Sequence, residues 1–206
     1  MFRFPDKPNS SGNKVELLDQ LEKEGGWIAQ MKFDGWRDQM NYANGSMTHT
    51  SASNSPLAVG PKCLDKSVAG DYFPLNLKGR WIFDAEWMGK RQSDTPERLW
   101  VFDCLMSEGE WLCRYSFSDR FKIVQAMVPT QMIVPTAFGD FRDFFEMSKE
   151  PPYSNKTADG RWFGCEGLVL KRATSVYRGD IRGTTKNPDW IKVKWRDGED
   201  GQEMVA

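Results

Sequence analysis

The sequence predicts an α+β fold built mainly from antiparallel sheets. Strand-like segments with alternating or continuous apolar residues outnumber the amphipathic segments. Strands and helices also do not alternate regularly, as a doubly wound parallel sheet requires. A length of 206 residues with 39% hydrophobic residues suits one compact domain. Because no internal repeat or linker interrupts the pattern, we expect residues 1–206 to form a single domain.

The first part of the chain predicts one helix and a run of strands. The stretch NKVELLDQLEKEGG has a cap-like Asn13, places Val15, Leu18 and Leu21 on one face, and ends at Gly25-Gly26. The segments WIAQMKF and WRDQMNYANGSMTHTSA then alternate as strands do, and the Asn-Gly pair in the second segment is a strong hairpin signal. Lys32 therefore lies near a strand end, just before a turn.

The rest of the chain mixes further strands with two helices. GRWIFDAEWMG and ERLWVFDCLM predict two strands joined by a polar loop. SFSDRFKIVQAMV predicts a helix that begins at Ser118-Asp119, and FRDFFEMSKE predicts a helix that ends at Pro151-Pro152. CEGLVLKR and DWIKVKWRD alternate as strands, so the strands dominate.

Composition excludes several classes of protein. The net charge is −1, so a basic surface for nucleic acid must come from local clustering. No segment approaches the roughly 20 apolar residues of a membrane span, and the first residues lack a signal-peptide pattern. We therefore expect a soluble, cytoplasmic protein. The four cysteines are widely spaced and predict reduced thiols, and the single histidine, His49, excludes a multi-histidine metal site.

Charged residues recur inside the strand-like segments. Together they would supply two carboxylates and four ammonium groups, a set suited to a divalent metal and a triphosphate. No Walker-type loop or GxGxxG motif is present, so side-chain lysines would have to hold the phosphates. These residues are Lys32, Glu86, Glu166, Lys171, Lys192 and Lys194.

Five segments in order resemble the motifs of a known superfamily. KFDGWR, FDAEW, LWVFDCL, EGLVLK and WIKVK are similar to motifs I, III, IIIa, IV and V of the covalent nucleotidyltransferases, which include ATP-dependent DNA ligases, RNA ligases and mRNA capping enzymes. The resemblance implies an antiparallel-sheet adenylation domain related to ATP-grasp. LWVFDCLMSEGEWLCRYSFSDR, with its Asp119-Arg120 pair, and SVYRGDIRGTTKNPDWIKVKW resemble small phage-type DNA ligases, which favours a polynucleotide ligase.

The resemblance implies that Lys32 attacks the α-phosphate of ATP, expels pyrophosphate and holds AMP. Asp34, Lys192 and Lys194 would be its catalytic partners. Because the attack needs a neutral amine, we expect nearby cations, including Arg37, to lower the pKa of Lys32. The implied nucleotide-binding residues are Gln30, Met31, Lys32, Arg37, Glu86, Phe102, Glu166, Lys171, Lys192 and Lys194.

Two of these residues are implied as metal ligands and one as the adenine contact. Glu86 and Glu166 would hold Mg²⁺, which commonly takes one or two carboxylates and keeps several waters. Phe102 would stack on the adenine, although its type alone also suits an ordinary core position.

The resemblance implies nicked duplex DNA as the partner, in repair, replication or recombination. The implied nucleic-acid contacts are Ser51, Arg120, Arg172, Arg178, Arg182 and Lys186. The first of these begins SASN, where the family usually has an arginine in place of Ala52. Most family members also continue into an OB-fold domain, whereas 12 residues follow Lys194. The chain is therefore either part of a longer protein or a minimal ligase without an OB-fold domain.

Two alternatives stay open at this point. An RNA ligase shares these motifs, and a non-catalytic nucleic-acid-binding module would retain the same site without using it. We expect a monomer, and the small size is compatible with a viral or mobile-element origin.

Overall fold

The computed structural model describes residues 5–10, 15–57, 77–88, 98–156, 160, 162–179 and 186–196. These residues form two sheets, with helices packed against them. The helices are α1 (Glu16–Glu24), α2 (Phe117–Met127) and α3 (Phe141–Met147), and a 3₁₀ turn covers Thr130–Met132. The strands are β1 (Lys7–Ser10), β2 (Trp27–Phe33), β3 (Trp36–Ala43), β4 (Ser46–Ser51), β5 (Trp81–Met88), β6 (Arg98–Ser107), β7 (Glu110–Trp111), β8 (Thr136–Ala137), β9 (Ser154–Lys156), β10 (Trp162–Arg172) and β11 (Lys186–Lys194).

The two sheets are mainly antiparallel, which confirms the predicted α+β class. The first sheet has the order β1-β11-β10-β2-β8, and β9 pairs with the start of β10. The second sheet has the order β4-β3-β5-β6-β7. Strand β1 pairs with β11 in parallel, a contact between the two ends of the described chain that local sequence patterns did not predict.

The predicted hairpin forms between β3 and β4. Asn44 has a φ of 53° and Gly45 a φ of 76°, the left-handed backbone that a two-residue turn of this kind needs. Helix α1 forms as predicted, with its apolar face buried. Its N-cap residue is Val15, whose side chain makes no capping hydrogen bond, and Asn13 lies outside the described residues.

The two later helices differ from the prediction at their ends. Helix α2 begins earlier than Ser118, because the hydroxyl of Ser116 accepts a hydrogen bond from the Asp119 N–H at 3.2 Å and caps the helix. Helix α3 ends at Met147, before the predicted stop at Pro151-Pro152.

The core consists of three clusters that fix the sheets to the helices and to each other. Leu18 and Leu21 of α1 pack on one face of the first sheet. Phe117 and Phe121 of α2 pack on the second sheet, and a third cluster joins residues of both sheets around Trp190. Burying each large apolar side chain stabilises the fold by roughly 1.5–3 kcal/mol, so the two sheets are firmly held around the space between them.

Three of the four cysteines lie among the described residues. Cys104, Cys113 and Cys165 are buried free thiols, while Cys63 lies outside the described residues. No helix in the described residues combines the length and apolar character needed to cross a membrane.

Candidate active site

Three neighbouring strands bring Lys32 and Lys194 to the same place. Lys32 of β2 lies opposite Gly167 of β10, and Gly167 lies opposite Lys194 of β11. Gly167 has a φ of 148°, and a Cβ atom there would stand 2.1 Å from the carbonyl oxygen of Val193. The glycine of the predicted motif EGLVLK is therefore required for β10 and β11 to approach this closely.

Glu166 points at both lysines because it occupies an irregularity in the strand. The pairing of β10 with β2 shifts between Cys165 and Gly167, so Glu166 is the extra residue of a bulge. Its carboxylate is almost fully buried and accepts hydrogen bonds from Lys32 Nζ and, at 2.8 Å, from Lys194 Nζ. The site thus holds one buried anion between two cations.

This arrangement contradicts the expected effect on Lys32. Burial lowers the pKa of Lys32, but the carboxylates of Glu166 and Glu86 outweigh burial, and the net shift is upward. Burial would raise the pKa of Glu166, but Lys32 and Lys194 together hold it below its usual value. In Lys192, burial and the two neighbouring cations lower the pKa. The neighbouring cations therefore lower the pKa of Lys192, for which no shift was predicted, whereas Lys32 is held in its charged form.

The second predicted carboxylate lies in the other sheet. Glu86 Oε1 accepts a hydrogen bond from the Gly35 N–H at 3.1 Å, and burial raises the pKa of Glu86 to about 7. A Cβ atom at Gly35 would stand 2.6 Å from the carbonyl oxygen of Trp87, so a glycine is needed at the turn between β2 and β3. Asp34, in the same turn, is close enough to add to the negative charge around Lys32.

Arg37 is held by partners that the sequence did not predict. Its guanidinium forms two hydrogen bonds with the buried Asp84, at 2.6 and 2.5 Å, and lies 4.6 Å from the centre of the Phe102 ring. The hydroxyl of Tyr177 donates at 2.8 Å to Asp84 Oδ2, the oxygen that also accepts from Arg37 Nη2. Asp84 stands in the segment FDAEW and Tyr177 in the segment SVYRGDIRGTTKNPDWIKVKW, but neither was predicted as a site residue.

Lys171 occupies the aromatic end of the same region. Its Nζ atom lies 4.8, 4.4 and 4.3 Å from the ring centres of Phe102, Phe117 and Trp190. The side chain is 2% exposed, and Nζ has no hydrogen-bond partner among the described residues. Burial lowers the pKa of Lys171 to about 7. An amine in this position is ready to pair with a ligand.

A cavity between the two sheets reaches both Lys32 and Lys171. Its walls include Gln30, Met31, Lys32, Phe33, Arg37, Glu86, Trp100, Phe102, Lys171 and Trp190. Two buried polar atoms in these walls, Gln30 Oε1 and Lys171 Nζ, lack a hydrogen-bond partner within the described part of the chain. Buried polar atoms are usually satisfied. Lys171 Nζ lies beside three aromatic rings, which fits a ligand with a polar, flat base, and Lys32, farther along the cavity, fits its phosphates.

Fewer side chains are available to bind a metal ion than to bind a nucleotide. In the described residues no three histidine, cysteine, aspartate or glutamate side chains converge as a metal cage does. Glu86 and Glu166 nevertheless both lie close to Lys32, as their effect on its pKa requires. Mg²⁺ commonly binds one or two carboxylates together with substrate phosphates and water. The residues present therefore fit Mg²⁺ that arrives with a phosphate ligand.

One predicted nucleic-acid contact is wrong. Arg120 is 0% exposed, and its guanidinium forms two hydrogen bonds with Asp103, at 2.8 and 2.9 Å. It also donates to the carbonyl oxygens of Tyr115 and Ser175, at 2.7 and 3.2 Å. Its donors are occupied inside the protein, so Arg120 fixes α2 to β6 rather than contacting a partner.

The other predicted nucleic-acid contacts lie at the surface or outside the described residues. Arg178 is 46% exposed near Asp189, and Arg172 forms an exposed ion pair with Glu24 at 2.9 Å. Lys186 is exposed, whereas Arg182 lies outside the described residues. The half-buried Ser51 accepts hydrogen bonds from two backbone N–H groups of its own turn, at 3.3 and 3.1 Å.

Comparison with protein families and curated proteins gives a consistent result. A family model described as "ATP dependent DNA ligase domain" matches residues 77–194. A "Probable DNA ligase" of Pseudarthrobacter chlorophenolicus is 25% identical over 205 residues, which cover 92% of this chain and 38% of the relative. "Multifunctional non-homologous end joining DNA repair protein LigD" of Mycobacterium tuberculosis is 25% identical over 197 residues, which cover 85% of this chain and 24% of the relative.

A third curated relative and two solved structures agree. A "DNA ligase" of Methanocorpusculum labreanum is 26% identical and is matched over 34% of its length, so the chain spans less than two fifths of each of these relatives. A mycobacterial DNA ligase D structure, described as complexed with ATP and MES, superposes with a TM-score of 0.66 at 19% identity, over 94% of this chain and 61% of that one. A structure of Lig E DNA ligases gives 0.57 at 13% identity, over 94% and 69%. The two structures share the fold of this chain.

Proposed function

Because the chain belongs to the ATP-dependent DNA ligase domain family, which its family model matches over more than half of its length, we propose that it forms a covalent lysyl-AMP on Lys32. We further propose that it transfers this AMP to the 5′-phosphate of a nick in duplex DNA. The 3′-hydroxyl would then attack that phosphate, form the phosphodiester bond and release AMP, with the protein acting as a monomer. Residues 1–206 would work as one nucleotidyltransferase domain.

The observation that carries this proposal is the meeting of Glu166 and Lys194 at Lys32, whose side chain lines the cavity. The side chain of Lys32 is 25% exposed, so its amine can reach a ligand, whereas its partner Glu166 is buried. The other end offers aromatic rings and unsatisfied polar atoms. A nucleotide bound along the cavity would place its phosphates at the lysines.

In the first step, the Lys32 amine forms a bond to the α-phosphorus, and the bond from that phosphorus to the bridging oxygen of pyrophosphate breaks. The amine must first lose a proton, and Glu166, which already accepts a hydrogen bond from it, is positioned to take this proton. Lys194 and Lys192 would stabilise the negative charge of the phosphates.

Two further groups prepare the site for its ligands. Glu86 and Glu166 would hold Mg²⁺, which supplies positive charge to the phosphate oxygens when bound. The exposed side chains of Arg178 and Lys186 would contribute phosphate contacts to the DNA, because such contacts supply most of the sequence-independent affinity.

The first experiment incubates the full chain with Mg²⁺ and ATP labelled at the α-phosphate, followed by denaturing electrophoresis. We expect a covalent label on the unaltered chain and on Lys122→Ala, an exposed lysine on α2, and no label on Lys32→Ala. A label that survives Lys32→Ala, or no label on the unaltered chain, would contradict the proposal.

The second arm of this experiment identifies the substrate. Sealing is measured on duplexes with a nick in DNA, in RNA or in a mixed strand. We expect the DNA nick to be sealed fastest. Preferential sealing of the RNA nick would make the protein an RNA ligase, and labelling without any sealing would leave only the adenylylation step.

A further inference from the structure

Arg196 is a buried arginine just beyond the end of β11, two residues after Lys194. It is 0% exposed, and its guanidinium lies 5.3 Å from the ring centre of Trp195. Its Nε atom donates to the carbonyl oxygen of Cys165 at 3.0 Å, and its Nη2 atom donates to that of Gly164 at 3.2 Å. These two carbonyl groups come directly before Glu166, so Arg196 holds the backbone that leads into the bulge.

The same guanidinium faces the turn that follows Lys32. Its Nη1 atom lies 4.0 Å from Asp34 Oδ2 and has no hydrogen-bond partner within the described residues. The Asp34 N–H donates to the Gly164 carbonyl oxygen at 3.0 Å, and that oxygen also accepts from Arg196. Arg196 and the turn after Lys32 therefore share one acceptor.

The shared acceptor is itself held in place. Gly164 has a φ of 96°, and a Cβ atom there would stand 2.2 Å from the carbonyl oxygen of Tyr153. The neighbouring Cys165 N–H donates to that same Tyr153 oxygen at 2.9 Å. The carbonyl group of Gly164 thus has a fixed direction, toward Asp34 and Arg196.

We propose that Arg196 is a positioning residue for the formation of lysyl-AMP, because one guanidinium joins the Asp34 turn, the backbone before Glu166 and the end of the Lys194 strand. This inference rests on the proposed function. A planar guanidinium with donors in a fixed fork can donate to two carbonyl groups and face a carboxylate at once, whereas a lysine ammonium is a point charge. Arg196 lines neither the nucleotide cavity nor an exposed surface, so its effect on the reaction passes through the residues that it holds.

The test compares Arg196→Gln, Arg196→Lys and the unaltered chain in single-turnover lysyl-AMP formation over a range of ATP concentrations. We expect Arg196→Gln to lower the rate constant at saturating ATP by roughly 10- to 100-fold, because small displacements of reacting groups cost about this much. The apparent KM for ATP should change less than about threefold, because the cavity walls are intact. Arg196→Lys, which keeps the charge opposite Asp34, should recover part of the rate.

A matched control is Arg142→Gln, which removes an exposed ion pair with Asp19 between α1 and α3 and should leave the rate unchanged. Folding is followed by tryptophan fluorescence during urea unfolding. An unchanged rate in Arg196→Gln, or a raised KM with an unchanged rate at saturation, would overturn the proposal. Loss of folding in both Arg196 variants would also overturn it, because Arg196 would then determine the fold and not the site. Absence of label on the unaltered chain would instead refute the proposed function.

Discussion

The two ends of the cavity each hold a buried or half-buried lysine, and their surroundings differ in kind. Lys32 faces the carboxylate of Glu166; burial lowers the pKa of Lys32, but Glu166, Glu86 and Asp34 together outweigh burial and raise it. Lys171 faces three aromatic rings, and its Nζ atom has no hydrogen-bond partner in the described part of the chain. Burial lowers its pKa to about 7. The two residues lie in paired strands, β2 and β10. The charge of a lysine in this site is therefore set by its immediate partner and not by its strand.

This contrast assigns different tasks to the two ends. At the Lys32 end, charged side chains can pair with phosphates and Mg²⁺, and the Lys32 amine must release a proton before it can react. The Lys171 end keeps an amine close to its titration point beside flat apolar surfaces, which suits recognition of a base. Each of the following substitutions either makes the surroundings of one lysine resemble those of the other or weakens the contacts that link the two ends of the cavity.

The largest effect is expected from Glu166→Gln, which removes the anion between Lys32 and Lys194. The free energy of unfolding should fall by roughly 2–4 kcal/mol, since removing one partner leaves buried charge unpaired. The pKa of Lys32 should fall, because burial is then opposed by less negative charge. Lysyl-AMP formation should be lost. Urea unfolding at neutral pH and the labelling experiment measure these effects.

The control for this change is Glu146→Gln, which removes an exposed carboxylate paired with Lys149 at 2.8 Å. Such a surface pair contributes about 0–1 kcal/mol, so stability and labelling should hardly change. If Glu166→Gln were as stable as this control, the ion pair would not distinguish the Lys32 end from the Lys171 end.

The next effect concerns Lys171→Met and depends on pH. The ordinary pKa of 10.5 applies to the unfolded chain, whereas the folded protein has a value of about 7. Between these values the unfolded chain binds a proton that the folded protein has lost, so the free energy of unfolding rises with pH by up to about 1.4 kcal/mol per unit. Below the lower value both states are charged and the full cost of burial is present.

The methionine variant should lack this rise. The free energy of unfolding of the variant should exceed that of the unaltered chain most near neutral pH. This difference should decrease toward about pH 10, where the unfolded chain also loses the proton of Lys171. Urea unfolding at several pH values measures the difference, with Lys122→Met as the exposed control. Parallel stability curves for the two proteins would mean that Lys171 keeps its charge, as Lys32 does.

Much of this site was predictable because its reactive residues stand in short sequence motifs. Strand β2 has the bounds that WIAQMKF predicts, and Asn44-Gly45 forms the expected turn. The resemblance of five ordered segments also brought Lys32, Glu166 and Lys194 into one hypothesis, and the structure places them in contact. These features depend on the residues themselves and on strand pairing that the motifs imply.

The remaining features depend on distances between segments remote in the sequence. The sequence places Arg120 in an acidic-Arg pair, Asp119-Arg120, that resembles the family, but Asp103, whose carboxylate pairs with the buried Arg120, lies on strand β6. The upward shift of the Lys32 pKa similarly depends on the contact of Lys32 with Glu166 and on the nearby Glu86 and Asp34. Arg196 has no motif, and only the meeting of Asp34 and Gly164 gives it a role. Neither the amino-acid composition nor the spacing of residues along the chain gives these distances between side chains.

The smallest expected effect is that of Tyr177→Phe, which tests the connection between the two ends. Arg37 lies between them, over Phe102, and Asp84 holds Arg37 while accepting a hydrogen bond from Tyr177. The hydroxyl of Tyr177 also accepts from the Asp6 N–H at 3.1 Å, so its loss leaves a buried donor unpaired. We expect the free energy of unfolding to fall by about 1–2 kcal/mol.

Because the two hydrogen bonds between Arg37 and Asp84 persist in Tyr177→Phe, the apparent KM for ATP should rise only about two- to threefold, with the saturated rate unchanged. Tyr115→Phe removes an exposed hydrogen bond to Glu110 and serves as the matched control, with neither quantity changed. A fall in the saturated rate as large as that expected for Arg196→Gln would mean that Arg37 positions the reacting phosphate. The two ends would then act as one unit, and the division drawn between the Lys32 and Lys171 ends would fail.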